Sequence, residues 1–207
     1  MKKLATGLGA LVLAAGLSGT AKADEINLSL MGGDTGVHHL HEQFGISGEF
    51  VKTHDKRPDY KMGFKFAELD FSDHSAEGAL FDAYASKYWA FADCFNLSAG
   101  VEGTHLAADA PGFGYSRNAI VPIAQAELVA LVEDDDDFGI KLTFSANVHP
   151  FGFRYHKQAT YGFGAEFEAG KVKSAMWGIY ASIDTPFNKT GEIGTTGEVG
   201  IKFSIRP

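Results

Sequence analysis

The chain has 207 residues, 45% hydrophobic and 21% charged, with a formal net charge of −8. These values lie near the globular average and exclude intrinsic disorder and collagen-like structure. Beyond the N-terminus no apolar run reaches the roughly 18 residues of a membrane-spanning helix, which excludes a helical membrane protein. The acid excess repels phosphate, so nucleic acid is not an expected partner. Twenty-five Gly and 17 Phe stand against 6 Pro and 1 Cys. Glycine and aromatics without repeats point to β-structure.

The N-terminus reads as a targeting segment. Lys2 and Lys3 give a positive start, Leu4 to Leu17 is apolar and too short to span a bilayer, and Ala21-Lys22-Ala23 forms an A-x-A cleavage site. Residues 1–23 are therefore expected to be a cleaved signal peptide, with 24–207 forming one domain. Removing 23 residues and three lysines from 207 residues at −8 leaves 184 residues at −11. Cys94 is the only cysteine and cannot form an internal disulfide. No lipobox cysteine follows the A-x-A, so no lipid anchor is expected.

Period two dominates the rest. In chain order, Ile26, Leu28 and Leu30 alternate with Asn27, Ser29 and Met31. Phe44, Ile46 and Phe50 alternate with Gly45, Ser47 and Glu49. Tyr60, Met62, Phe64 and Phe66 alternate with Lys61, Gly63, Lys65 and Ala67. A fourth strand over 79–92 alternates less cleanly. Phe95, Leu97, Ala99 and Val101 then alternate with Asn96, Ser98, Gly100 and Glu102. A sixth strand over 120–133 is again uneven, because Val121, Ile123, Val129 and Leu131 share a face with Gln125 and Glu127. Ile140, Leu142, Phe144, Ala146 and Val148 alternate with Lys141, Thr143, Ser145 and Asn147. Tyr161, Phe163, Ala165 and Phe167 alternate with Gly162, Gly164, Glu166 and Glu168. Trp177, Ile179, Ala181 and Ile183 alternate with Gly178, Tyr180, Ser182 and Asp184. Val199, Ile201, Phe203 and Ile205 alternate with Glu198, Gly200, Lys202 and Ser204. Most runs are about 10 residues long, the span of a tilted transmembrane strand.

The connections sort by parity. Those at 33–42, 72–78, 108–119, 149–158 and 186–196 are long, whereas 53–59, 93–94, 133–137 and 170–173 are mostly short. Long and short turns alternating around an even strand count are expected of an outer-membrane barrel with both termini on the short-turn side. The expected fold is all-β: a transmembrane, antiparallel, up-and-down β-barrel of ten strands, with eight as the alternative. Glu49, Lys61, Lys65, Glu102, Lys141, Glu166, Glu168, Glu198 and Lys202 would then line a mixed-sign interior, where buried charges are expected to pair. Lys87 shares the outward parity of Phe81, Ala83, Ala85 and Trp89. It must reach towards the short-turn rim, or a bulge must switch its face. Trp89, Phe91, Phe95, Tyr60 and Phe138 near one rim, and Phe44, Phe71, Phe81 and Phe151 near the other, suit interfacial girdles.

On this pattern, and on its last strand, the chain resembles small Gram-negative outer-membrane β-barrel proteins. Glu198-Val199-Gly200-Ile201-Lys202-Phe203-Ser204-Ile205 is similar to the signal by which such proteins are handed to the barrel-assembly machinery. Here the chain runs on through Arg206 to Pro207. The resemblance implies an integral outer-membrane protein exported by its signal peptide, with a structural or surface role or at most a very narrow pore. Its partners would be outer-membrane lipid and the assembly machinery, with no cofactor.

The sequence leaves two alternative functions. Asp70, Ser72 and His74 at i, i+2 and i+4 would share one strand face about 6.8 Å apart. They could act as orienting acid, nucleophile and base of a lipid A-type hydrolase, although Ser-x-His reverses the His-x-Ser order of the deacylases. A soluble periplasmic β-protein, with its apolar faces meeting in a core, is the other. The run Glu133 to Asp137 lacks calcium-loop spacing and reads as a solvated turn. Of the eight histidines, His38, His39, His41, His74, His105, His149 and His156 fall on the long-loop side and His54 does not. His38, His39 and His41 are the candidate metal ligands, set against ordinary surface histidines.

Overall fold

The computed structural model describes residues 24–36, 40–54, 57–71, 77–92, 94–110, 113–133, 137–151, 158–187 and 194–206. The expected signal peptide lies outside the described residues. Ten strands form one closed antiparallel barrel: β1 (Glu25–Asp34), β2 (Leu40–His54), β3 (Arg57–Phe71), β4 (Glu77–Ala92), β5 (Phe95–Ala110), β6 (Phe113–Glu133), β7 (Phe138–His149), β8 (Thr160–Lys171), β9 (Ala175–Pro186) and β10 (Thr196–Ile205). Each strand pairs with its sequence neighbours, and β10 returns to pair with β1 from Ile26↔Ile205 to Asp34↔Gly197. The eight-stranded alternative is thereby corrected, because both uneven segments, 79–92 and 120–133, take full places in the barrel.

The alternation becomes an inside and an outside. Leu30, Phe144, Phe163, Ile179, Val199 and Ile201 are exposed on the outer surface. Asn27, Lys65, Glu102, Glu127, Glu168 and Lys202 are buried within. The apolar faces therefore do not meet in a core, as the soluble alternative required. Phe64 keeps the outward parity of Tyr60 and Met62 but is buried. Its ring lies over Gly48 on β2, where an added Cβ would stand 2.6 Å from the ring.

The extent of β5 and β6 departs from the sequence reading. The segment 108–119, expected to be a long loop, is mostly strand, with Ala110 paired to Phe113. Pro122 consequently sits well inside β6. The position tolerates proline because β6 pairs with β7 only from Ala124 onward, so its outer half needs no ladder bond on that side. The turn at the end of the acidic run is tight. Asp137 adopts φ 62°, a left-handed conformation that Asp tolerates, and its carbonyl accepts from Val172 N at 2.8 Å.

Lys87 remains outward. The β3–β4 register runs unbroken past it, and the irregularity in β4 falls later, between Ala90 and Ala92. Its ammonium reaches Asp59 on β3 and lies 4.2 Å from the Tyr60 ring centroid. The charge is thus met at the short-turn rim. Trp89, Phe91, Tyr60 and Phe138 are exposed at that rim, and Phe44 and Phe151 at the other.

Candidate functional site

The chemistry of the barrel is inside it. The inner faces of β1 to β4 carry one hydrogen-bonded row. Asn27 Nδ2 donates to Glu49 Oε1 at 2.8 Å, and the Tyr84 hydroxyl donates to Glu49 Oε2 from two strands away. Gly63 stands between them in register, paired with both Glu49 and Tyr84. The tyrosine ring lies over it, and a Cβ there would stand 2.6 Å from that ring. The same device recurs where Tyr180 covers Gly200 and donates to Glu198 at 2.8 Å.

The remaining interior charges pair across the lumen or along its wall. Lys61 meets Glu127 at 2.8 Å, and Lys65 meets Glu198. Lys141 binds Glu168 at 2.8 Å, while Lys202 binds Glu166 at 2.8 Å and approaches Glu168 at 3.8 Å. Ser204 donates to the second oxygen of Glu168. Every residue expected to form the mixed-sign interior lies inside and has an opposite charge or a hydrogen-bond donor. Low surrounding dielectric makes such pairs strong and their disruption costly.

The two ends of the lumen differ. At the long-loop end, Met31, Gly45, Ala67, Leu80 and Leu106 form one row across the inner face of β1 to β5. Leu69, Leu80 and Leu106 have no exposed surface. Across from them, His149 is buried, with Nε2 3.2 Å from Glu102 and Nδ1 3.4 Å from the Thr160 hydroxyl. These side chains pack that end of the interior among the described residues. At the short-turn end a cavity of about 640 Å³ opens between Cys94, Pro58 and Arg206, and reaches inward to Asn27, Glu49 and Tyr180.

Both ends of the barrel sequence are tied at that mouth. Arg206 donates to Glu25 Oε2 from Nη2 at 2.9 Å and to the Val172 carbonyl. Thr53 donates to Asp24 from its backbone N at 2.7 Å and its hydroxyl at 2.9 Å, with Lys52 at 3.2 Å. These bonds hold the Asp24 carboxyl below the usual carboxylate range, the backbone bond contributing most. In the exposed turns, hydrogen bonding to Asp137 raises the Lys173 ammonium above its ordinary value.

The residues proposed for hydrolysis are not brought together in the described structure. Asp70 pairs with His41 on β2 and, as the last β3–β4 pair, with Glu77 on β4, whereas Ser72 and His74 lie outside the described residues. His38 and His39 also lie outside them. His41 is in β2, paired with Asp34 and Asp70, with no side-chain placement described. Among the described residues no group of three or more His, Cys, Asp or Glu is placed to hold a metal. His105 is exposed and bonds Asn118 at 2.6 Å. His149 departs from the surface reading, being a buried partner of Glu102. Its inward parity on β7, two positions beyond Asn147, was the available signal. Sequence reasoning also missed Tyr84, Tyr180 and the Arg206–Glu25 tie.

No protein-family model matches the chain, and no curated protein matches it. Solved structures do. The β-domain of the Bordetella autotransporter Brka aligns with a TM-score of 0.50 at 5% identity, over 90% of this chain and 100% of that one. A bacterial polysaccharide outer-membrane secretin aligns at 0.47 and 11% identity, over 88% and 98%. The translocator domain of the autotransporter NalP from Neisseria meningitidis aligns at 0.41 and 10%, over 98% and 95%. At 5% identity the likeness to the Brka β-domain concerns the β-barrel fold alone.

Proposed function

We propose that the chain is exported by residues 1–23 and resides in the outer membrane of a Gram-negative cell as an integral, non-enzymatic barrel. Its role is structural or surface-exposed, with a lumen that does not conduct from end to end. One observation carries this reading: the outer surface is a belt of exposed Phe, Ile, Leu and Val while the charged side chains are paired inside. In water that belt would be a large exposed apolar surface. In lipid it is the ordinary solvent-facing surface of a barrel. All ten strands pair on both sides around a closed ring, as hydrocarbon requires, and only the part of β6 before Ala124 extends beyond its partner β7. The buried Met31–Leu106 row argues against a through-pore. β10, bearing the assembly-like sequence, completes the ring, which supports delivery by the barrel-assembly machinery.

The test is fractionation followed by heat-modifiable gel migration of detergent-extracted membranes, with planar-bilayer recording of the purified protein. Migration in the outer-membrane fraction that shifts on boiling, with no steady conductance, is the expected result. Recovery from the soluble periplasm would refute the location, and stable single-channel steps would refute the closed lumen.

A further inference from the structure

Building on the membrane reading above, we infer that the outer face of β2 to β4 at the short-turn rim holds one zwitterionic glycerophospholipid. Its headgroup carries both a phosphate and a primary ammonium.

The wall carries charge where it faces outward. Lys52, Tyr60 and Lys87 lie side by side in one ladder row across β2, β3 and β4. They share the outward parity of Phe50, Met62 and Ala85, the next row towards the membrane centre. A bulge in β3 shapes the row. Lys52 pairs with Tyr60 and Thr53 with Pro58, so Asp59 is the extra residue. Bulges re-aim side chains, and the Asp59 carboxylate meets Lys87. On the other side Asp24 lies 3.2 Å from Lys52. Two acids thus neighbour two cations along this outward rim. Unlike the interior pairs, these four stay accessible, with side-chain exposures from 30% for Asp59 to 49% for Lys52. An ammonium has three N–H donors and a carboxylate about four acceptor positions, so both pairs keep capacity for a ligand.

Position decides the ligand. A lysine on a barrel's lipid face costs about 2–4 kcal/mol at the midplane and little at the interface. Lys52 and Lys87 therefore mark headgroup depth, with Trp89 and Tyr60 exposed beside them as interfacial aromatics. The lysines are two strands apart, about 10 Å between backbones, and flank Tyr60, so both can donate to one phosphate. Asp59 and Asp24 accept from an ammonium. A choline headgroup has no N–H to offer them. The wall also leaves room for a chain. Ala83 and Ala85 follow Lys87 inward on β4, and Ala83 pairs with Gly103, where an added Cβ would meet nothing closer than 3.8 Å. Met62 and Val101, 49% and 54% exposed, stand on either side of Ala85, and an acyl chain fits between them.

Intact-complex mass spectrometry of the detergent-purified protein tests the site, with dioleoyl phosphatidylethanolamine, phosphatidylcholine and phosphatidylglycerol as probes. One phosphatidylethanolamine should be retained in preference to the other two. Lys87→Met should weaken retention about tenfold, the scale of one lost charged hydrogen bond, and Lys87→Arg should restore it. Asp59→Asn should erase the preference over phosphatidylcholine, and Ala85→Trp should weaken all three lipids by blocking the chain. Lys173→Met, in an exposed turn, is the control. Heat-modifiable migration reports folding of each sample, and if Lys87→Met does not fold, Lys52→Met and Ala85→Trp decide. No retained lipid, equal retention of the three, or retention unchanged in the folded variants overturns the proposal. Recovery of the native protein from the soluble periplasm is the separate result that sinks the membrane reading; a heat-modifiable outer-membrane barrel without the lipid sinks this site alone.

Discussion

Replacing Lys202 by Met tests whether the interior pairs hold the barrel together. Its ammonium lies 2.8 Å from Glu166 and 3.8 Å from Glu168, with side-chain exposures of 10%, 21% and 0%. After the change, Glu168 keeps Lys141 at 2.8 Å and Ser204, whereas Glu166 loses its cation. Breaking a buried pair by removing one partner costs about 3–5 kcal/mol. Because Glu166 retains some exposure, the lower end applies, about 3 kcal/mol. Adding Glu166→Gln removes the stranded charge, and the double variant should recover to within about 1 kcal/mol of the native protein. Met is close to Lys in length, so little packing is lost. Lys173→Met, at an exposed pair with Asp137, is the control and should leave stability unchanged, because surface pairs are worth little. Urea titration in lipid bilayers, followed by tryptophan fluorescence, measures all four proteins. A Lys202→Met variant as stable as Lys173→Met, or a double variant no better than the single, would refute the reasoning.

Four other outcomes are expected. Phe144→Arg, on the exposed outer face, should cost about 2–4 kcal/mol in bilayers, whereas Arg at inward Ser145 beside the cavity should be milder; equal effects would refute the assignment of faces. Truncation from Glu198 onward removes the strand that pairs with both β9 and β1 and should abolish heat-modifiable barrel in the outer membrane; normal assembly would refute it. Leu80→Ala should cost about 2–5 kcal/mol by leaving a cavity in a fully buried row, measured by the same urea titration; a loss under about 1 kcal/mol would mean the row is not packed. The depressed Asp24 carboxyl contributes its stabilisation fully above the ordinary carboxylate value and loses it as pH falls through the lowered folded value. Acidification should therefore speed Thr53 amide exchange relative to strand-centre amides, and Asp24→Asn should remove most of that pH dependence.

Much of this was legible because the period of a strand is two. Parity alone places Glu49, Lys61, Lys65, Glu102, Lys141, Glu166, Glu168, Glu198 and Lys202 inside, and burial then requires partners. Which partner each takes was not legible. It depends on register, and on glycines such as Gly63 that let a tyrosine reach across a strand. The outer halves of β5 and β6 were missed because 108–119 carries Pro, Gly, Asp, Ser and Asn, which favour turns locally; pairing from Ala110↔Phe113 inward overrides that preference. The Arg206–Glu25 tie joins the start of β1 to the residue after β10 and exists only once the ring is closed.

Apolar residues at inward positions carried information that the polar ones did not. Leu69, Leu80, Leu106 and Val121 sit at inward parity, where a water-filled barrel would place polar groups, and all four are buried. Inward leucine marks the height at which side chains pack the lumen, since a polar side chain there would need a protein partner. The clean polar positions at the short-turn end, Asn27, Glu49, Thr143 and Glu166, mark the height at which it is open. Apolar residues at inward positions of β3 to β6 are thus the sequence record of a packed apolar layer at the long-loop end of the lumen.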